Sequence, residues 1–132
     1  MNPYAAYKKQ SVTTMTPIEI VIKLYSETER ELNRSIVFIE DKNYESANKA
    51  LNKSVDLIAA LRSVLDVNLP IGKNLDSIYT FLERQIIAAN VKKDVEVIKT
   101  LLPMIGELKD AFTQISTMSK DEIAAQSMRQ PK

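Results

Sequence analysis

The side chains of this chain that could carry chemistry are carboxylates and tyrosines, because histidine and cysteine are both absent. Without imidazole there is no Ser-His nucleophile, no histidine-ligated zinc or iron, and no Glu-x-x-His motif of the kind that di-metal helical bundles use. Without thiolate there is no disulfide, no thiol nucleophile and no cysteine metal site. The helix-borne carboxylates Glu27, Glu29, Glu31, Glu83 and Glu96 lie off the apolar stripes among Lys and Arg. That placement reads as solvated faces with i,i+4 partners, not as buried acid–base groups. Gly72 and Gly106 stand far apart and alone, so no phosphate-cradling loop exists. No catalytic, cofactor-binding or metal-ligating residues are expected, and the chain reads as a non-enzyme.

Tyrosine offers a different chemistry, that of apolar contact with a polar tip. Tyr4 and Tyr7 sit three residues apart in the opening Asn2-Pro3-Tyr4-Ala5-Ala6-Tyr7, on one side of a helical turn. Residues 1–15 show no sustained period and are expected to form a mobile arm, helical only when docked.

Behind the arm the sequence predicts helices. Thr16 can cap the first, Pro17 suits the first helical position, and Glu19 completes an S/T-x-x-E capping box. Ile18, Val21, Ile22, Tyr25, Leu32, Ile36 and Ile39 then recur at intervals that place them on one face, as far as about Asp41. Asn43 can cap a second helix with an inward stripe of Ala47, Leu51, Ser54, Ile58, Leu61 and Leu65, widened by Val55, Leu57 and Val64. Pro70 and Gly72 read as turn chemistry that ends it. A third helix carries Leu75, Ile78, Tyr79, Leu82, Ile86 and Ala89, with Phe81 and Ile87 off the stripe, and stops near Asn90, which tolerates a left-handed helix end. A fourth shows Val95, Ile98, Leu101, Leu102, Ile105, Leu108, Phe112 and Ile115, with Val97 and Met104 as additional apolar positions. Pro103 predicts a kink near Lys99. Ser119 and Glu122 form another capping box that can start a short fifth helix, although residues 119–132 hold too little apolar surface to be more than a weakly ordered tail.

Short connections force helices ~30 Å long to run antiparallel to their sequence neighbours. The expected fold is all-α, an antiparallel up-and-down four-helix bundle over 17–118 with a flexible N-terminal arm, in one domain. Composition agrees: 132 residues, 45% apolar, 27% charged, with 2 glycines and no tryptophan. A formal charge of +1, with basic pairs at Lys8-Lys9 and Lys92-Lys93 but no cluster, gives no reason to expect nucleic acid as a partner. No apolar run approaches the ~20 residues of a membrane span and no secretory leader precedes the body, so no membrane insertion and a cytoplasmic location are expected.

The second, third and fourth helices carry more apolar positions than one inward stripe absorbs, and such surplus must be covered. Self-association as a homodimer is one cover. The other is a groove that accepts an amphipathic helix through i, i+3, i+4 and i+7 anchors, with the aromatic arm lying in part of it until the partner arrives.

In its motifs the chain resembles the bacterial flagellar secretion chaperones. The resemblance runs from about Asn2 to Ile115 and rests on the N-P-Y-A-A-Y opening, the T-P-I-E helix start, Leu24-Tyr25, the run K-N-L-D-S-I-Y from Lys73 to Tyr79, and Ala89-Asn90-Val91-Lys92-Lys93-Asp94. It implies a cytosolic bundle that binds the C-terminal, polymerisation-prone region of flagellin, keeps it monomeric and delivers it to the export apparatus. It also implies that the arm, through Tyr4 and Tyr7, covers part of the client site and is displaced, and it admits an export-gate component and a flagellar regulatory protein as further partners. Leu57, Leu61, Val64, Leu75, Ile78, Tyr79, Leu82 and Ile86 are the expected client-binding groove of the second and third helices, some of them shared with the core. A homodimeric structural bundle and a regulatory adaptor without a flagellin client are the alternatives.

Overall fold

The computed structural model describes residues 15–129, with side chains through residue 118. The helices are α1 (Pro17–Glu40), α2 (Tyr44–Ser63), α3 (Pro70–Lys92) and α4 (Val95–Arg129), and no strand occurs among the described residues. Each sequence-adjacent pair packs together and α1 closes the ring against α4, as an antiparallel up-and-down bundle requires; the α3–α4 side is the loosest.

Local chemistry sets the boundaries. Thr16 caps α1 by accepting from the Glu19 N–H at 3.2 Å, with Pro17 in the first turn, and Asn43 caps α2 by accepting from the Ser46 N–H at 3.2 Å. At the end of α1, Lys42 takes a left-handed φ of 60° while the Asn43 N–H reaches the Phe38 carbonyl at 2.8 Å and the Lys42 N–H reaches Ile39 at 2.9 Å. This paired closure satisfies carbonyls that the last turn leaves free. The left-handed residue ending α3 is Lys93, at φ 53°, and not the expected Asn90. Asn90 instead accepts the Lys93 ammonium on both its carbonyl (2.6 Å) and its side-chain oxygen (2.7 Å), which helps to hold a lysine in a conformation that glycine adopts more easily. Asp94 then starts α4, its carboxylate accepting from the Val97 N–H at 3.2 Å.

The core is one cluster in which Tyr25, Leu32, Leu51, Ile58, Leu61, Tyr79, Leu82, Ile86, Ile98, Leu101 and Ile105 are essentially sealed from solvent. Small polar residues on the inner faces bond to their own helix: Thr28 donates to the Leu24 carbonyl, Ser35 to Leu32 and Ser54 to Ala50. With Ala47 and Ala50 also buried, the inner faces of α1 and α2 carry small residues, and the backbones of these two helices run close together over more of their length than those of any other pair.

Three further expectations need correction. Pro70 and Gly72 do not lie in the turn after α2; they form the first turn of α3, where a proline N–H would have had no partner. Glu31 is not solvated: it is buried, and both its oxygens accept from Arg34 Nη1 one turn on, at 3.0 and 3.1 Å. As expected of a proline that bends rather than breaks a helix, Pro103 lies inside a continuous α4; it and Lys99 both face solvent, where water can satisfy the carbonyl that the proline leaves free. The Ser119–Glu122 box starts no separate fifth helix, because α4 continues unbroken to Arg129, and the sequence offers neither glycine nor proline between Gly106 and Pro131 to interrupt it.

Candidate functional site

The connection from α2 to α3 is tightly bonded and yet apolar on its outside. The Leu65 N–H donates to the Arg62 carbonyl (3.1 Å), the Leu69 N–H to the Asp66 carbonyl (3.1 Å), and the Asn68 N–H to the Asp66 carboxylate (3.0 Å). These three bonds tie the loop to the end of α2 and across its own turn. Gly72 brings α3 against it so closely that an added Cβ would stand 1.9 Å from the Asp66 carbonyl oxygen. Val64 and Ile71 are each 62% exposed and Leu69 is 52% exposed, with Val67 beside them also exposed. Scattered surface apolar residues need no explanation, but exposed apolar residues gathered at one corner are the usual character of an interaction surface.

These residues border a cleft of about 210 Å³. Val64, Leu65, Leu69 and Ile71 form its rim and Leu61, Leu75 and Tyr79 its floor, while Val21 of α1 and Phe112 of α4 supply walls from the other two helices. All four helices therefore build it, at the end of the bundle where α1 begins.

Beneath the floor, the Tyr79 hydroxyl is hydrogen-bonded to that of Tyr25, and both rings are buried. Their centroids are 6.3 Å apart, and Phe112 packs on Tyr25 at 5.7 Å with the rings inclined by 36°. Burial pushes the Tyr25 phenol well above the ordinary tyrosine range, and the Tyr79 hydroxyl adds to the rise. Burial raises Tyr79 as well, against a lowering contribution from its bond to Tyr25. Both phenols stay neutral at physiological pH, so the pair is a polar fixture in an apolar floor.

Behind the cleft, Arg62 in the last turn of α2 fastens that helix to α3. Its Nε lies 3.0 Å from Asp76, its Nη1 donates to Glu83 at 3.2 Å, and its Nη2 donates to Thr80. This forked contact uses the planar guanidinium in a way a lysine could not reproduce.

Of the residues expected from sequence to bind a client, Leu61, Val64, Leu75 and Tyr79 come together around this cleft. Leu57, Leu82 and Ile86 are buried in the core and Ile78 is half-buried against it, and none of these four lines the cleft. Tyr4 and Tyr7 lie outside the described residues. Sequence reasoning missed Val67, Leu69 and Ile71. The available signal was their apolar character inside a segment rich in turn formers, Asp66 to Gly72.

Among the described residues no group of three or more His, Cys, Asp or Glu is placed to hold a metal ion, and the cleft is lined mainly by apolar side chains. Comparison with known proteins points to the kind of molecule that carries it. The family model described as flagellar protein FliS matches residues 1–119. The chain is 29% identical over 121 residues to the flagellar secretion chaperone FliS of Bacillus subtilis, covering 91% of each chain. It is 34% identical over 116 residues to the protein of that name in Vibrio cholerae, covering 83% of this chain and 85% of the relative, and 25% identical over 120 residues to that of Salmonella typhimurium. A four-helix bundle matched to the family model along nearly its whole length, and to these chaperones across most of theirs, belongs to the FliS family of flagellar secretion chaperones.

Proposed function

We propose that this protein is a non-enzymatic cytosolic chaperone that binds the C-terminal helical region of flagellin, keeps it from polymerising prematurely and delivers it to the flagellar export apparatus. The observation that carries the reading is the cleft at the α2–α3 end, with Val64 and Leu69 exposed on a hydrogen-bonded loop and Ile71 exposed in the first turn of α3 beside it. Amphipathic helices bind by laying apolar anchors into such a groove, and a preformed groove lowers the ordering cost of binding. Leu57, Ile78, Leu82 and Ile86 contribute through the packing beneath this surface, and Leu61, Leu75 and Tyr79 through its floor.

The arm acts as the gate. Val21, in the second turn of α1, is a wall of the cleft. The residues before Thr16 therefore join the bundle at the cleft's own end, and the nine residues from Thr16 back to Tyr7 can span up to ~30 Å when extended. An arm resting there in the free protein sets an affinity penalty that the proper client exceeds. No helix of the described residues is long and apolar enough to cross a membrane, which fits work in the cytosol.

Calorimetric titration with the C-terminal segment of the flagellin from the same genome tests this. One-to-one binding is expected, tighter when residues 1–15 are removed and weaker by ~1 to 3 kcal/mol in Val64→Ala or Ile71→Ala with helical content intact. Absence of binding by either form, or a concentration-dependent dimer that loses its apolar contact in the same variants, refutes the client assignment.

A further inference from the structure

Far from the cleft, the later turns of α1 meet the first half of α2 in a shoulder of mixed character. Val37 is 55% exposed there, and the Arg34 guanidinium stands over the neighbouring Phe38 ring at 5.6 Å. Arg30, Asn33, Arg34, Val37 and Phe38 line a shallow, largely apolar groove of about 350 Å³. A second hollow of about 230 Å³ shares Arg34 and Phe38 with it and extends to Lys49 and Lys53 on α2. Glu31 lines that hollow, but it is buried and already takes two bonds from Arg34, so it offers little negative charge to the outside. Lys49 reaches Glu45 only at 3.8 Å, with both side chains well exposed, a pairing of little strength. Arg30 and Lys53 have no ion pair among the described residues. A chain of formal charge +1 thus gathers Arg30, Lys49 and Lys53, beside the Glu31-paired Arg34, around two adjoining hollows of which the first is apolar.

We propose that this shoulder docks an acidic amphipathic helix of a partner protein, its apolar anchors over Val37 and Phe38 and its carboxylates on Arg30, Lys49 and Lys53. Charge complementarity selects the occupant. A second copy of the chain in a two-fold dimer would set these cations against their own images. A polyanion without apolar anchors would leave Val37 and Phe38 uncovered. Val37 stands roughly 24 Å along α1 from Val21, which lines the cleft, so the two sites can be filled together and the shoulder does not depend on what the cleft binds.

The probe is a fluorescein-labelled synthetic helix of about 18 residues, with leucines at i, i+3, i+4 and i+7 and glutamates elsewhere, titrated against the full-length protein by anisotropy. Saturable binding is expected that falls with added salt and weakens by about tenfold or more in Arg30→Glu/Lys53→Glu and in Val37→Asp, while Val64→Asp/Ile71→Asp leaves it unchanged. Arg30, Val37 and Lys53 are all exposed, and circular dichroism of each variant verifies that the bundle persists. Equal binding by the shoulder variants overturns the proposal, as does loss of binding in the cleft variant. So does equal affinity for a probe with its leucines replaced by serine, which marks charge attraction alone, or a sedimenting dimer that Val37→Asp dissolves, which marks a second copy as the cover.

Discussion

Gly72 and Gly106 both lie inside helices, and neither has a positive φ, so replacing each by alanine separates the role of space from the role of backbone freedom. At Gly72 the new Cβ would stand 1.9 Å from the Asp66 carbonyl oxygen, 2.7 Å from its carbon and 3.3 Å from the Val67 nitrogen, all of them backbone atoms. Ordinary contact requires the α2–α3 loop to retreat by about 1.5 Å, against the hydrogen bonds at Leu65, Asn68 and Leu69 that hold it. Overpacking of this kind costs ~1 to 3 kcal/mol, while the better helix propensity of alanine returns up to ~1 kcal/mol. Gly72→Ala should therefore destabilise, by up to ~3 kcal/mol. At Gly106 the nearest neighbour of an added Cβ is Glu29 Oε2 at 3.7 Å, an undemanding contact, so Gly106→Ala should stabilise by ~0.5 to 1 kcal/mol. Urea denaturation followed by circular dichroism reads both from the transition midpoints, provided the slope m is unchanged. In Gly72→Ala the loop displacement also shifts Val64, Leu69 and Ile71, so client affinity should fall with stability, whereas Gly106→Ala should leave it alone. Equal stabilisation by the two substitutions would refute the argument that contact with Asp66 dictates glycine at position 72.

The tyrosine pair yields a coupled prediction: Tyr79→Phe leaves the buried Tyr25 hydroxyl without its partner and should cost ~1 to 3 kcal/mol, while Tyr25→Phe/Tyr79→Phe should recover most of it, as a double-mutant denaturation cycle would measure. The same pair sets an alkaline limit. Both phenols are raised above their unfolded value of ~10, so their contribution is fully present below that pH and lost as pH climbs toward the folded values, and the double phenylalanine variant should show a flatter fall in stability above pH ~10. Arg62→Ala should destabilise by about 1 kcal/mol, a modest figure because Arg62 and Asp76 are partly solvated, and the loss should shrink in high salt.

The parts of this molecule legible in its sequence are those governed by short-range rules. Thr16-Pro17-Ile18-Glu19 and Asn43 announce helix starts because a cap needs only a side chain within three residues of the N–H it receives, and both caps form. The stripes through Tyr25, Leu32, Leu51, Ile58, Leu82 and Ile86 announce the core because period alone places them on one face. Where a helix is apolar over a wide arc, however, period does not say which edge of the arc is sealed. Leu82 and Ile86 face inward and Val64 outward because of how α2 and α3 are rotated against the other helices, a property of the assembled bundle. Glu31 reads as surface for a similar reason: its burial depends on Arg34 one turn away and on α2 packing beside it. The cleft was hidden by a local rule correctly recognised but placed too early. Pro70 and Gly72 do punctuate the chain, but they begin α3, which leaves Val67 and Leu69 on a short bonded loop and Ile71 on the first exposed turn. The contact of Gly72 with Asp66 fixes that loop, and a fixed loop is what keeps the apolar side chains from folding inward onto the core. The stability of the α2–α3 corner and the exposure on which the proposed docking rests thus have one structural cause, so substitutions that loosen the corner should weaken binding even where they touch no client.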